Sequence, residues 1–262
     1  MLLWLLSTVL AILAAYIVQG WLRQALKRPK PLLAFGPLAV GGFTWGSLVS
    51  SVAVLSIAAA PLPFPVGFQN LVAPVLWVSS IVAAVLAIVG LLWRRAWWMF
   101  VICGALMTAA TLPIQYGWIT AAGFRPGIVW REELLVVAGA VMTFGYAVGW
   151  WLALADSALQ GGRQLLWRLG AAALMGLTLL AGQEITSLAA GLLAQVGSVY
   201  QYQVPAAVLA LVGGAALPLL LFVLLLDLEI RRQSQRRKRR GMDTSHIMVR
   251  KREKRRSRTR EA

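Results

Sequence analysis

Long apolar runs, separated by short polar breaks, constrain this chain more than any other feature of its sequence. They fall at about residues 2–19, 32–58, 69–92, 96–121, 133–157, 166–192 and 205–227. A helix that crosses a bilayer needs roughly 20 mostly apolar residues, and the chain supplies that length seven times. Composition agrees: 60% of residues are hydrophobic and 13% charged, whereas soluble domains are about half apolar and a quarter charged. Transmembrane barrels are excluded, because their strands alternate polar and apolar side chains over about 10 residues. The expected fold class is all-α, a polytopic membrane protein with seven transmembrane helices.

Basic residues then orient the spans. Arg23, Lys27, Arg28 and Lys30 follow the first run, Arg94 and Arg95 mark the third break, and Arg163 and Arg168 lie in the break at 158–168. Fifteen of the 25 Lys and Arg residues come after residue 230, and all these groups fall on one side of a seven-span chain. The other side carries only Arg125 and Arg131. The positive-inside rule therefore predicts an outside amino terminus and a cytoplasmic carboxyl terminus. No basic residue precedes the first run, the reverse of a signal peptide, so it reads as a retained helix. Trp21, Trp93, Trp97, Trp130, Trp150, Trp151, Tyr200 and Tyr202 sit near span ends, where amphipathic rings anchor at the interface. Cys103 is the only cysteine; it has no disulfide partner and reads as a small packing residue.

Three even-numbered spans share a small-residue, glycine-bearing entry followed by polar residues. They read AVGGFTWGSLVSSVAV (39–54), CGALMTAATLPIQYGWITAA (103–122) and LGAAALMGLTLLAGQEITSLAAG (169–191). Each leads to an outside loop, and two of these loops hold the similar runs PLPFPVGFQN and SVYQYQVPAA. The fold is accordingly expected to be three helix-pair repeats plus a closing helix.

With these features residues 1–228 resemble the MHYT domain of bacterial membrane signalling proteins. LLWRLGAAALMGL (165–177) is similar to that family's run into its third motif, and Trp45 matches the tryptophan before its first. The resemblance implies seven spans, an outside amino terminus, a location in the bacterial inner membrane and a sensory role. It also implies copper held by His and Met side chains. At the motif positions this chain has Ser47, Leu48, Val49 and Ser50, then Ile114, Gln115, Tyr116 and Gly117, then Gly182, Gln183, Glu184 and Ile185. Val52, Ile119 and Ser187 replace the later methionines. Copper prefers thioether, thiolate and imidazole donors, so no copper, and no other cofactor, is expected.

Gln115, Tyr116, Gln183 and Glu184 are the intramembrane polar candidates. An ionisable group inside a bilayer points to function, and Gln115, Gln183 and Glu184 are expected to line an outward-facing pocket among helices two, four and six. The competing reading makes them interhelical ties, worth about 0.6–2 kcal/mol each. Pro113 removes a backbone donor beside Gln115 and frees the carbonyl of Ala109. Gly42, Gly46 and Ser50, and Gly145 with Gly149, form small-residue faces suited to helix packing within the bundle. Met107, Met142 and Met175 read as packing residues rather than ligands.

Residues 229–262 form a basic tail, expected to be disordered because like charges repel. Arg231, Arg232, Arg236, Arg237, Lys238, Arg239 and Arg240 lie directly below the last span, where anionic lipid attracts basic residues by about 1 kcal/mol each. An acidic protein or nucleic acid is the other class of partner for that charge, without aromatic residues for base stacking. His246 reads as a solvated tail residue. The chain shows no phosphate loop, no nucleophile with a base and no metal-ligand cluster, so an enzyme is not expected. Three functional readings remain open. One is a sensor-like signalling protein acting through a membrane or cytoplasmic partner. The second is a small transporter or channel subunit with a polar path near Gln115 and Glu184, and the third a structural protein acting through its tail.

Overall fold

Inside a bilayer every backbone N–H and C=O must find a partner within the protein, and helices meet that demand locally. The computed structural model describes residues 2–26, 31–90, 97–155, 162–191 and 197–258. Its helices are α1 (Leu2–Leu26), α2 (Pro31–Ala59), α3 (Val72–Gly90), α4 (Trp97–Ala121), α5 (Glu132–Ala155), α6 (Gly162–Ala189) and α7 (Ala206–Arg258). All seven are long and apolar enough to cross a membrane. The chain is an all-α, multi-pass membrane protein.

Charged positions moved relative to the sequence reading. Arg23 occupies the last turn of α1 rather than a loop, and Arg163 and Arg168 lie in the first turns of α6. Helices extend past the apolar runs because long basic side chains favour helix and reach away from the apolar zone. Lys27, Arg28, Lys30, Arg94 and Arg95 lie outside the described residues.

The chain divides into two units, Met1–Leu221 and Phe222–Ala262. In the first, α1 packs on α2, α3 on α4 and α5 on α6, while α2–α3, α4–α5 and α1–α6 contacts close a ring. The even helices α2, α4 and α6 also meet one another, so the three helix pairs point their second members inward. Of the span in α2, 83% is buried, against 28% in α3. The start of α7 lies against α1 and α2, with Gly213 facing Ser51 and Gly214 facing Leu6 and Leu55.

Close approach of backbones makes this packing possible. A methyl group on Gly46 would overlap the Ile81 backbone, and one on Gly42 would overlap that of Val85, so the small face of α2 is filled by α3. Gly145 and Gly149 receive Thr178 and Met175 of α6 in the same way. Both stripes are consumed within the chain. Aromatic residues fill the rest: Trp45, Trp118, Trp150 and Tyr146 are fully buried, and Trp45 meets Tyr146 edge-on at 5.7 Å. Trp21 and Trp150 are therefore core residues, not interfacial anchors, whereas Trp151 and Tyr202 are exposed.

One end of the bundle carries a small cap. β1 (Gly67–Phe68) pairs antiparallel with β4 (Val204–Pro205), and β2 (Phe124–Arg125) with β3 (Gly197–Ser198). The two loops with similar sequences thus pair with each other, and the last loop binds both of the others. Ser198 is their junction: its Oγ donates to the Ala122 carbonyl at 2.7 Å and accepts from the Gly67 and Tyr200 amides. Gly67 is required there, because any side chain would collide with the Tyr200 carbonyl.

In the second unit α7 continues as helix to Arg258. Propagating an existing helix needs no new nucleus, and Arg, Lys, Gln and Met are good helix formers. Arg231 also pairs with Asp227 one turn earlier at 2.9 Å, an exposed contact worth about 0.3–0.5 kcal/mol.

Gly46→Ala is expected to destabilise the detergent-solubilised protein by about 1–3 kcal/mol, as overpacking does. Gly36→Ala, where an added methyl meets nothing within 4 Å, is expected to leave the thermal midpoint unchanged or raise it. Thermal unfolding of the two variants side by side checks both.

Candidate functional site

The four polar candidates lie in different surroundings. Helix geometry separates neighbours on α4 or α6 by about 100°, and the two adjacent pairs divide accordingly. Gln115 is fully buried, and its Nε2 donates to the Leu179 carbonyl of α6 at 3.3 Å. It ties α4 to α6. Tyr116 turns outward and stacks on Trp130, with ring centroids 4.2 Å apart. Gln183 is fully buried, while Glu184, the next residue, is exposed on the flank of α6.

Gln183 and Glu184 both line a cavity of about 520 Å³ at the capped end of the bundle. Its walls are α1, α2 and α6, rather than helices two, four and six. Sequence alone placed the repeats in order but not the wedge left between α1 and the even helices α2 and α6. Trp4 and Ser7 come from α1, Leu55 and Ser56 from α2, and Ser187 from α6, with Arg131 from the segment before α5. Gln115 and Tyr116 do not line it.

The chemistry of the cavity is mixed. Apolar walls from Val52, Leu55, Leu180 and Leu188 surround a carboxylate, a guanidinium, an amide and three hydroxyls. Gln183 Nε2 donates to Ser187 Oγ at 3.4 Å, but its Oε1 has no hydrogen-bond partner. A buried acceptor left unpaired costs roughly 1–3 kcal/mol, so this oxygen is available to a donor entering the cavity. The Trp4 indole stands beside the Glu184 carboxyl group, whose oxygens retain free lone pairs. Arg131 and Glu184 line one cavity without forming an ion pair with each other.

Some of these residues were not singled out from the sequence. Trp4, Ser7 and Ser56 lie on apolar spans where a lone polar or aromatic group is ordinary. Ser187 was legible, since it stands one helical turn beyond Gln183. Arg131 was read only as a topology charge.

Away from the cavity lining the bundle interior is stitched and filled. Trp118 Nε1 donates to Ser50 Oγ at 3.2 Å, Ser50 and Ser80 share a 2.9 Å hydrogen bond, and the Trp118 ring meets Phe68 and Trp77 edge-on. Met107, Met142 and Met175 are fully buried, and Met175 Sδ accepts from Gln19 Nε2. Cys103 is a buried free thiol.

The copper implied by the MHYT resemblance does not fit these residues. Leu48 is a buried hydrocarbon, Gln115 is bonded to a backbone carbonyl, and Gln183 is an amide. None is a soft donor. Among the described residues no cluster of three His, Cys, Asp or Glu side chains could hold a metal ion. Comparisons with protein-family models, curated proteins and solved structures found no match to this chain.

Elemental analysis of the protein purified from copper-supplemented cells is expected to find well under one copper per chain; stoichiometric copper would overturn this. Gln115→Met is expected to lower stability by about 0.6–1.7 kcal/mol, the range for interhelical hydrogen bonds in bilayers. Tyr116→Phe keeps the ring stack and is expected to leave the unfolding midpoint unchanged.

Proposed function

We propose that this chain is a sensor-type signalling protein of the bacterial inner membrane, related to the MHYT domains and acting through a partner. The observation that carries this reading is the cavity at the capped end. It is a concave, mostly apolar site with a few convergent polar groups, the usual form of a small-ligand site. The packed aromatic and methionine core of the bundle favours a receptor over a conduit. Of the two ends of the path that a transporter reading requires, Glu184 lines this cavity, whereas Gln115 does not and is bonded to the Leu179 carbonyl.

In this reading the capped end and the amino terminus face outward. Arg23, Arg163 and Arg168 stand at the opposite helix ends, in keeping with the positive-inside rule. The cytoplasmic partners are a signalling protein and the anionic lipid surface, both reached through the basic part of α7. Arg231, Arg236, Arg237, Lys238, Arg239 and Arg240 provide the charge, together with Arg232. Nucleic acid is the less favoured partner, as no aromatic residue accompanies these charges. The copper chemistry of the family forms no part of the proposal.

Photo-crosslinking from Ser234 and Ser245 in native membranes tests the coupling. A discrete adduct is expected whose yield changes at least threefold when the cavity is filled by Ser56→Trp or neutralised by Glu184→Gln. Equal adducts from all three proteins would sink the sensor reading. Solute uptake into proteoliposomes that Glu184→Leu abolishes would put the transporter reading in its place.

A further inference from the structure

The cavity between α1, α2 and α6 holds more chemical information than the presence of a pocket. Its hydrogen-bonding groups are arranged by type. Gln183 Oε1 is a buried, unpartnered acceptor, and the neighbouring Glu184 carboxyl adds two acceptor oxygens and, when ionised, negative charge. Both belong to the same stretch of α6, and the Trp4 indole stands against Glu184. A cation near an aromatic ring and a carboxylate is stabilised by both. Arg131, the cavity's one basic residue, is a donor-only group suited to a carboxylate or phosphate.

We infer that the cavity binds a small zwitterion, its primary ammonium on Gln183 Oε1 and Glu184 and its anionic group on Arg131. The inference rests on the reading of this cavity as a ligand site and names what it takes. Two opposite charges that line one cavity without pairing are complementary to a ligand carrying both charges. A lone cation would leave Arg131 uncompensated, and a lone anion would face Glu184. The neutral ends of the site, Val52, Leu55 and Leu180, suit a short aliphatic group between or beside the charges.

An ammonium with N–H bonds is specified, because Gln183 Oε1 needs a donor and a quaternary ammonium has none. Two sources share this chemistry: a free apolar amino acid, and the phosphoethanolamine headgroup of a membrane lipid.

The test uses the full chain in nanodiscs made only of phosphatidylcholine and phosphatidylglycerol. Leucine, isoamylamine and 4-methylpentanoate are titrated by calorimetry as the zwitterion, its amine half and its acid half. If the source is a free amino acid, leucine binds at least tenfold more tightly than either half. Arg131→Gln then lowers leucine affinity about tenfold and leaves isoamylamine unaffected. Glu184→Gln lowers leucine and isoamylamine together.

If the source is lipid, leucine does not bind. Native mass spectrometry of the chain from discs containing equal phosphatidylethanolamine and phosphatidylcholine then shows preferential retention of phosphatidylethanolamine, lost in Glu184→Gln. Thermal midpoints of the variants, measured without ligand, separate loss of binding from loss of folding. Absence of both leucine binding and lipid preference, or binding indifferent to both variants, overturns the inference. If the tail crosslinks still respond to Ser56→Trp in that case, the ligand assignment falls while the sensor reading stands. Leucine binding without any crosslink response gives the opposite division.

Discussion

Helices in lipid gain nothing from burying apolar side chains against one another, since the surrounding chains are equally apolar. Association depends on close backbone contact, and this bundle obtains it from glycines. Gly42 and Gly46 let α3 lie directly on α2, Gly145 and Gly149 make room on α5 for the Thr178 and Met175 side chains of α6, and Gly176 brings the α1 backbone at Ala11 to 2.8 Å of where a Cβ would stand. Those contacts fix the ring, and the ring decides which polar residues meet.

Polar groups then act as local specifiers. Trp118, Ser50 and Ser80 join α4, α2 and α3 through one chain of hydrogen bonds, and Gln115 joins α4 to α6. Each is worth little alone, but each is satisfied only when its helices sit in register. At the capped end Ser198 performs the corresponding task for three loops with one hydroxyl.

Fold class and helix order were legible in the sequence because span length and hydropathy are properties of each helix by itself. Span ends near Arg23 and Arg163 were not, since a helix does not stop where its apolar run stops. In the tail two tendencies compete, repulsion between like charges and the helix propensity of Arg, Lys and Gln, and α7 runs to Arg258. Within the site, Gln183 and Glu184 stood out as polar residues in an apolar run. Their separation from Gln115 and their meeting with Trp4, Ser56 and Arg131 depend on which helices adjoin, and no single-helix pattern contains that. The MHYT motif positions pointed to the even helices, yet the cavity borrows one wall from an odd helix, α1.

Three helix pairs offer three corresponding wedges, each between an odd helix and two even ones. Around α3 the wedge is filled by Trp77 and Trp118 with the Ser50–Ser80 bond. Around α5 it is filled by Met142, which presses on Gly182. Beside α1 a carboxylate, an amide and a guanidinium border open space. A scaffold that repeats threefold has thereby become asymmetric. Unequal filling of corresponding wedges gives the α1 side an opening that a ligand could address, where its counterparts are occupied by the protein's own side chains.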